Sequence, residues 1–224
     1  MADHEVRCFA RALGVEPDRV TPHDLIGSSP TPSLLAQFDL VLIGGAGDFS
    51  VAQGGDWLEP ALDSMRELHA RSTPVFASCW GFQAMAKALG GTVITDMARA
   101  EVGTVSLELS EAGVHDPVFS PSGNPLDGQS GHVDVVDTLP EDAQLLASTS
   151  LVTNHAYHFP GKPIYCTQFH PELTLDDLLH RLRQYTKYVK GITGLTFDDF
   201  VAQRCRQSPK ADHLLSRFVD VVFD

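Results

Sequence analysis

Pro74-Val75-Phe76-Ala77-Ser78-Cys79-Trp80-Gly81-Phe82-Gln83 reads as a short strand that runs into a sharp turn and leaves it as a helix. Val75, Phe76 and Ala77 form an apolar run of the kind buried in a sheet core. Beyond Gly81 a helical pattern continues through Ala84, Met85, Ala88 and Leu89 and stops at Gly90-Gly91. Small residues on both sides of Cys79 let the backbone fold tightly and lift the side chain clear, the logic of a nucleophile elbow. The helix behind the cysteine aims its positive dipole end at the sulfur, the setting of a thiolate nucleophile. A free cysteine at a strand end is also a small buried hydrophobe, and the elbow pattern alone does not separate the two readings.

A second stretch separates them. Ile164-Tyr165-Cys166-Thr167-Gln168-Phe169 reads as a buried strand, and His170-Pro171-Glu172 follows at its end. A histidine two residues before a carboxylate can act as a base whose tautomer the carboxylate fixes. Pro171 stiffens the turn that presents both. A cysteine followed by a distant histidine and acid, all at strand ends, is the Cys-His-carboxylate arrangement.

Taken together, Cys79-Trp80-Gly81-Phe82-Gln83 and Gln168-Phe169-His170-Pro171-Glu172 closely resemble the class I, triad-type glutamine amidotransferases. That family's elbow is usually Gly-x-Cys-x-Gly-x-Gln, and its second motif is Gln-x-His-Pro-Glu. Both stand here in the family's order, and the resemblance covers about residues 1–190. Ala77 stands where the family usually has glycine. The resemblance implies a three-layer α/β sandwich, flavodoxin-like, with a mostly parallel central sheet and a small antiparallel appendage. It implies Cys79 as nucleophile, His170 as base and Glu172 as the group that orients it. Gly44-Gly45-Ala46-Gly47 resembles the family's oxyanion loop, with Ala46 in place of proline. The N–H groups of Gly45 and Trp80 are therefore the expected oxyanion-hole donors. Gln83 matches the family glutamine near the substrate. His132-Val133-Asp134-Val135-Val136 resembles the His-x-Asp-x-Val stretch beside the glutamine pocket, best known from the amidotransferase domain of GMP synthase, so His132 is an expected substrate contact.

With 224 residues, 43% of them hydrophobic, the chain suffices for one globular domain with a sizeable core. A net charge of -13 and the lack of Lys/Arg clusters argue against a nucleic-acid partner. Four widely spaced cysteines form no C-x-x-C pair and no disulfide scaffold, which fits a reducing cytoplasm. No apolar run approaches a membrane span and no signal-peptide core is visible, so a cytoplasmic protein with no membrane partner is expected. No cofactor is expected either. His155-x-x-His158 and His132-x-Asp134 lack the cysteine pairs or H-E-x-x-H helix of a metal site, and Gly44–Gly47 lacks the G-K-[ST] of a phosphate loop.

Along the chain, 1–14 reads as an amphipathic helix with Val6, Phe9, Ala10 and Leu13 on one face. The resembled family opens with a strand before this helix, so the first strand is expected to be missing, through a late start or a compensated loss. A short strand is expected at 19–23 and a brief helix at 34–38. Asp39-Leu40-Val41-Leu42-Ile43 is the clearest strand, and 57–71 the next helix. Strands follow at 92–95, 102–109, within 127–138, and at 143–147, 152–157 and 163–169. A single helix is expected at 173–190. Two amphipathic helices at 197–207 and 212–223 then form a C-terminal extension (191–224) that caps the first domain (1–190) or makes a homodimer contact.

The expected chemistry is release of ammonia from L-glutamine through a γ-glutamyl thioester. By resemblance, ammonia passes to a synthetase, and the 34 residues after position 190 cannot hold one, so a separate ammonia-accepting synthetase chain fits. Two other readings stay open at this level: a stand-alone hydrolase of γ-glutamyl peptides or amides, and a truncated, inactive binding or regulatory homologue.

Overall fold

The run before Cys79 becomes β2 (Val75–Ser78), and all four of its residues are buried. In this computed structural model, which describes residues 2–223, β2 lies between two parallel neighbours. On one side is β1 (Val41–Ile43), with Val75 opposite Val41; on the other is β9 (Ile164–Thr167), with Val75 opposite Ile164. The sheet runs on from β9 through antiparallel β8 (Ala156–His158), β7 (Gln144–Ser148), β4 (Glu101–Leu109) and β5 (Leu126–His132). Its order is β1-β2-β9-β8-β7-β4-β5. A second, two-stranded antiparallel sheet joins β3 (Thr92–Thr95) to β6 (Asp134–Thr138). The α/β architecture is thus a parallel unit carrying the elbow, continued by antiparallel strands in one mixed sheet.

Alternation along β2 builds two cores, since successive strand side chains point to opposite faces. Val75 and Ala77 join Cys166 against α3 (Leu58–Arg71) and α4 (Trp80–Ala88), which bring Leu62, Met65, Phe82 and Met85. Phe76 and Tyr165 join the other face, covered by Phe9 of α1 (Ala2–Leu13) and by Leu214, Leu215 and Phe218 of α8 (Leu214–Phe223). Each fully buried side chain of this size contributes about 1.5–3 kcal/mol. A third cluster gathers Leu173, Leu178, Leu182, Val189 and Phe200 beside Val102 of β4.

Four local expectations change. Residues 19–23 are not a strand: a 3-10 turn at Pro17–Arg19 is followed by irregular chain. Only Val20 there is apolar enough to bury, and Pro22 has no N–H to give a ladder. Residues 126–138 form two strands in two sheets, because the chain turns at Val133. The single helix expected at 173–190 is two, α5 (Leu175–Leu182) and α6 (Thr186–Thr193), parted by a 3-10 turn at Arg183–Tyr185. Tyr185, at φ -122 and ψ 38, has left helical geometry. The brief helix near 34–38 is α2 (Pro32–Leu35), started by Thr31, whose side chain accepts from the Leu34 N–H. α7 (Phe197–Arg204) completes the set and packs on β4 through Phe200. Among the described residues no helix is long and apolar enough to cross a membrane.

Candidate active site

Cys79 holds the turn between β2 and α4 with φ 53 and ψ -100, a region that costs a non-glycine residue about 1–3 kcal/mol. Its surroundings hold it there. The Cys79 N–H donates to Thr167 O on β9 at 2.8 Å, and the Gly81 N–H donates to Gly44 O at the end of β1 at 3.3 Å. Gly81 is pressed so closely on β1 that a Cβ would lie 2.7 Å from Ile43 Cγ2 and 2.8 Å from Ile43 O. Ala77, in place of the usual glycine, is accommodated inside β2 and fully buried.

His170 stands just past the end of β9, anchored by its N–H to Gln129 O at 2.8 Å. Its Nδ1 meets Glu172 Oε1 at 2.6 Å, and both side chains are almost wholly buried. The backbone carbonyl of Glu172 accepts from Arg11 Nη2 of α1 at 2.7 Å. Burial alone would lower the His170 pKa, but the charges of Glu172 and of the Cys79 sulfur outweigh it and raise it to about 10. Burial alone would raise Glu172, and His170 overrides that and holds it below the usual range. The Gly44–Gly47 loop closes the third side. A Cβ on Gly45 would stand 3.0 Å from His170 Cε1 and 3.7 Å from Cys79 Cβ, so loop, sulfur and imidazole converge. The Trp80 N–H lies in the first turn of α4, where helix donors have no intrahelical acceptor.

Cys79 and His170 open into a cavity of about 850 Å³. Gln83 lines it, but both of its N–H donors are used inside the protein, on Asp134 O at 2.9 Å and Gln168 Oε1 at 3.0 Å, leaving Oε1 for a ligand. His132 also lines it with both ring nitrogens occupied, Nδ1 3.0 Å from Asp134 O and Nε2 3.2 Å from Glu101 Oε2. Four further residues line this cavity. Asp134 accepts from Ser50 Oγ at 2.6 Å and from Thr95 Oγ1 at 2.7 Å, tying the loop after β1 to β3 and β6. Tyr188 of α6 has a pKa raised by burial and by the charges of Cys79 and Asp134. Glu5 of α1 and Arg181 of α5 complete the group. Asp134 was visible in the His-x-Asp motif; the other three sit in ordinary amphipathic helices with no local signal.

Among the described residues, two groups could gather ligand atoms for a metal, with atoms within 4.8 Å of one another: Glu101, His132 and His155, and His4, Cys8 and Asp177. In the first, Glu101 already accepts from His155 Nε2 at 2.8 Å and Thr149 Oγ1 at 2.7 Å as well as facing His132. Burial would raise the Glu101 carboxyl, but the hydrogen bonds of His132 and His155 prevail and hold it at about 2. In the second, Asp177 is paired with Arg11 at 2.7 Å. His132 and His155, one from each of the two pairs noted in the sequence, both belong to the first group.

The family model described as glutamine amidotransferase class-I matches residues 11–183. With that match lying on the elbow, the His-Pro-Glu turn and the α/β sheet that joins them, the chain belongs to the class-I glutamine amidotransferase family. Over 162 residues it is 34% identical to the glutamine-hydrolyzing GMP synthase of Streptomyces avermitilis, covering 72% of this chain and 29% of that protein. It is 32% identical over 120 residues to one subunit of the glutamine-hydrolyzing GMP synthase of Methanothermobacter thermautotrophicus, covering 54% of this chain and 62% of that one. The matches therefore span less than two thirds of either relative's length. Among solved structures, a glutamine amidotransferase from Thermotoga maritima superposes with a TM-score of 0.64 at 19% identity, covering 84% of this chain and 79% of that one. One from Methylobacillus flagellatus gives 0.69 at 18% identity, covering 95% and 87%. These two likenesses are of fold.

Proposed function

We propose that this chain hydrolyses the side-chain amide of L-glutamine, or of a γ-glutamyl compound, with Cys79 as nucleophile, His170 as acid and base, and Glu172 as its orienter. The observation that carries this reading is the 2.6 Å contact between His170 Nδ1 and Glu172 Oε1, set beside a cysteine at a strained elbow. The Cys79 thiolate attacks the side-chain carbonyl carbon, and the oxygen takes up the negative charge. The N–H groups of Trp80 and Gly45 receive that oxyanion. Collapse breaks the C–N bond as His170 passes its proton to the nitrogen, releasing ammonia and leaving a γ-glutamyl thioester. His170 then takes a proton from water, the hydroxide attacks the thioester, and glutamate departs from the restored thiolate.

Likeness to a relative that is itself one subunit of a GMP synthase favours a separate ammonia-accepting synthetase as partner. The second reading, a stand-alone γ-glutamyl amide hydrolase, is favoured by a cavity far larger than an amide and ammonia require. Release of glutamate from L-glutamine, measured beside Cys79→Ala, tests the shared chemistry. Turnover by the native chain that drops by about a thousandfold or more in the variant supports it. Equal turnover by both removes Cys79 from the reaction.

A further inference from the structure

The reaction fixes where the departing amine must stand. His170 gives it a proton, so the leaving group lies on the His170 side of the sulfur. The cavity wall there is built from Leu173, three residues beyond His170, and from the helices that follow and precede it: Leu178, Arg181 and Leu182 of α5, and Glu5 of α1. Arg181 and Glu5 lie near enough to the pair for Arg181 to act on Glu172, and for Glu5 to feel both His170 and Glu172.

Arg181 is the unexplained member of this wall. Its side chain is only 13% exposed, and its Nε is buried without a hydrogen-bond acceptor. Its one anionic contact among the described residues is Glu5 Oε1 at 3.7 Å, too long for a hydrogen bond, and that oxygen is itself buried without a partner. A buried guanidinium is ordinarily paired, and its planar fork matches a carboxylate. Glu5 beside it disfavours a ligand carrying several negative charges. The neighbouring Leu173, Leu178 and Leu182 offer apolar surface, and ammonia would leave all of it unused.

Resting on the proposed Cys79 and His170 chemistry, we propose that the leaving group is an amino acid whose carboxylate binds Arg181, so that the substrate class is γ-glutamyl amino acids with apolar side chains. The γ-glutamyl C–N bond breaks, the sulfur–carbon bond forms, and the amino acid departs with the His170 proton on its nitrogen. Water then releases glutamate as for glutamine.

The test compares γ-L-glutamyl-L-leucine with γ-L-glutamyl-isoamylamide, which has the same carbon chain without the carboxylate. In the native chain kcat/KM favours the carboxylate form by about tenfold or more, mostly through KM. That ratio falls close to one in Arg181→Met and partly recovers in Arg181→Lys. Because the ratio is taken within each variant, loss of folded or active enzyme cancels from it. A native ratio near one, or a ratio unmoved by Arg181→Met, overturns the assignment. Alkylation of Cys79 by 6-diazo-5-oxo-L-norleucine separates the two levels of the reading. Labelling of Cys79 without turnover of γ-glutamyl-leucine overturns the carboxylate subsite and leaves the thiolate chemistry standing. Neither labelling nor turnover overturns both.

Discussion

A single methyl group is enough to test how tightly the site converges. Gly45 lies so close to the His170 ring that a Cβ would meet Cε1 at 3.0 Å, and the imidazole is not free to turn away, because Glu172 holds its Nδ1 at 2.6 Å. Gly45→Ala is therefore expected to displace the ring or the loop, lowering kcat by about 10–100-fold. The thermal midpoint should move by only a few degrees, since Gly45 itself belongs to none of the three core clusters. A kcat within twofold of the native value would show that the loop yields without disturbing His170. At this scale the sequence was most legible for groups that carry their own signature. Cys79 between small residues and His170-Pro171-Glu172 after a strand announce themselves, and the structure sets His170 against Glu172 as the spacing suggested. Gln83 and His132 were equally visible, yet their nitrogens turn out to be occupied by Asp134, Gln168 and Glu101. Apart from the His132–Asp134 contact, these partners lie 31 to 85 residues away, a separation that no local pattern contains.

Between elements, the buried Glu101 joins β4 to β5 through His132 and to the segment before β8 through His155. Its carboxyl is held at about 2 against an ordinary 4.5, so its contribution to stability is whole above about pH 4.5 and is lost as pH falls toward 2. Glu101→Gln should cost about 1–3 kcal/mol at pH 7 and flatten the acid limb of the stability curve, as measured by urea unfolding from pH 7 down to pH 3. An unchanged acid limb would mean that another carboxylate carries it. Residues 173–190 have a continuous helical apolar pattern, and Leu178, Leu182, Tyr188 and Val189 all reach one cluster, yet the chain breaks at Arg183–Tyr185, where Tyr185 leaves helical geometry. The turn at Val133 follows from tertiary demand, since β5 pairs with β4 and β6 with β3.

For the whole molecule, α8 is part of the core and not a cap upon it. Phe218 is fully buried, with its ring 5.5 Å from Phe76 of β2 and 5.6 Å from Tyr165 of β9, the two strands that lead to Cys79 and His170. Phe218→Ala should destabilise the chain by about 3–5 kcal/mol in denaturant titration. A loss below about 1 kcal/mol would show that α8 is peripheral. The amphipathic pattern at 212–223 was plain in the sequence, whereas its partner was not, because apolar spacing gives a face and no address. The α/β class and the strands carrying the two motifs were legible for the opposite reason: β2 and β9 are short, largely apolar runs of strand length that suit a sheet interior.

In the proposed reaction the amide carbon passes through a covalent bond to Cys79. Mixing the protein with L-glutamine, quenching in acid within the first turnovers and mapping peptides by mass spectrometry reads that bond directly. A γ-glutamyl adduct is expected on the peptide that contains Cys79, lost on longer incubation as glutamate accumulates and absent from Cys79→Ala. Glutamate release that continues undiminished in Cys79→Ala, with no adduct on the native protein, would contradict it.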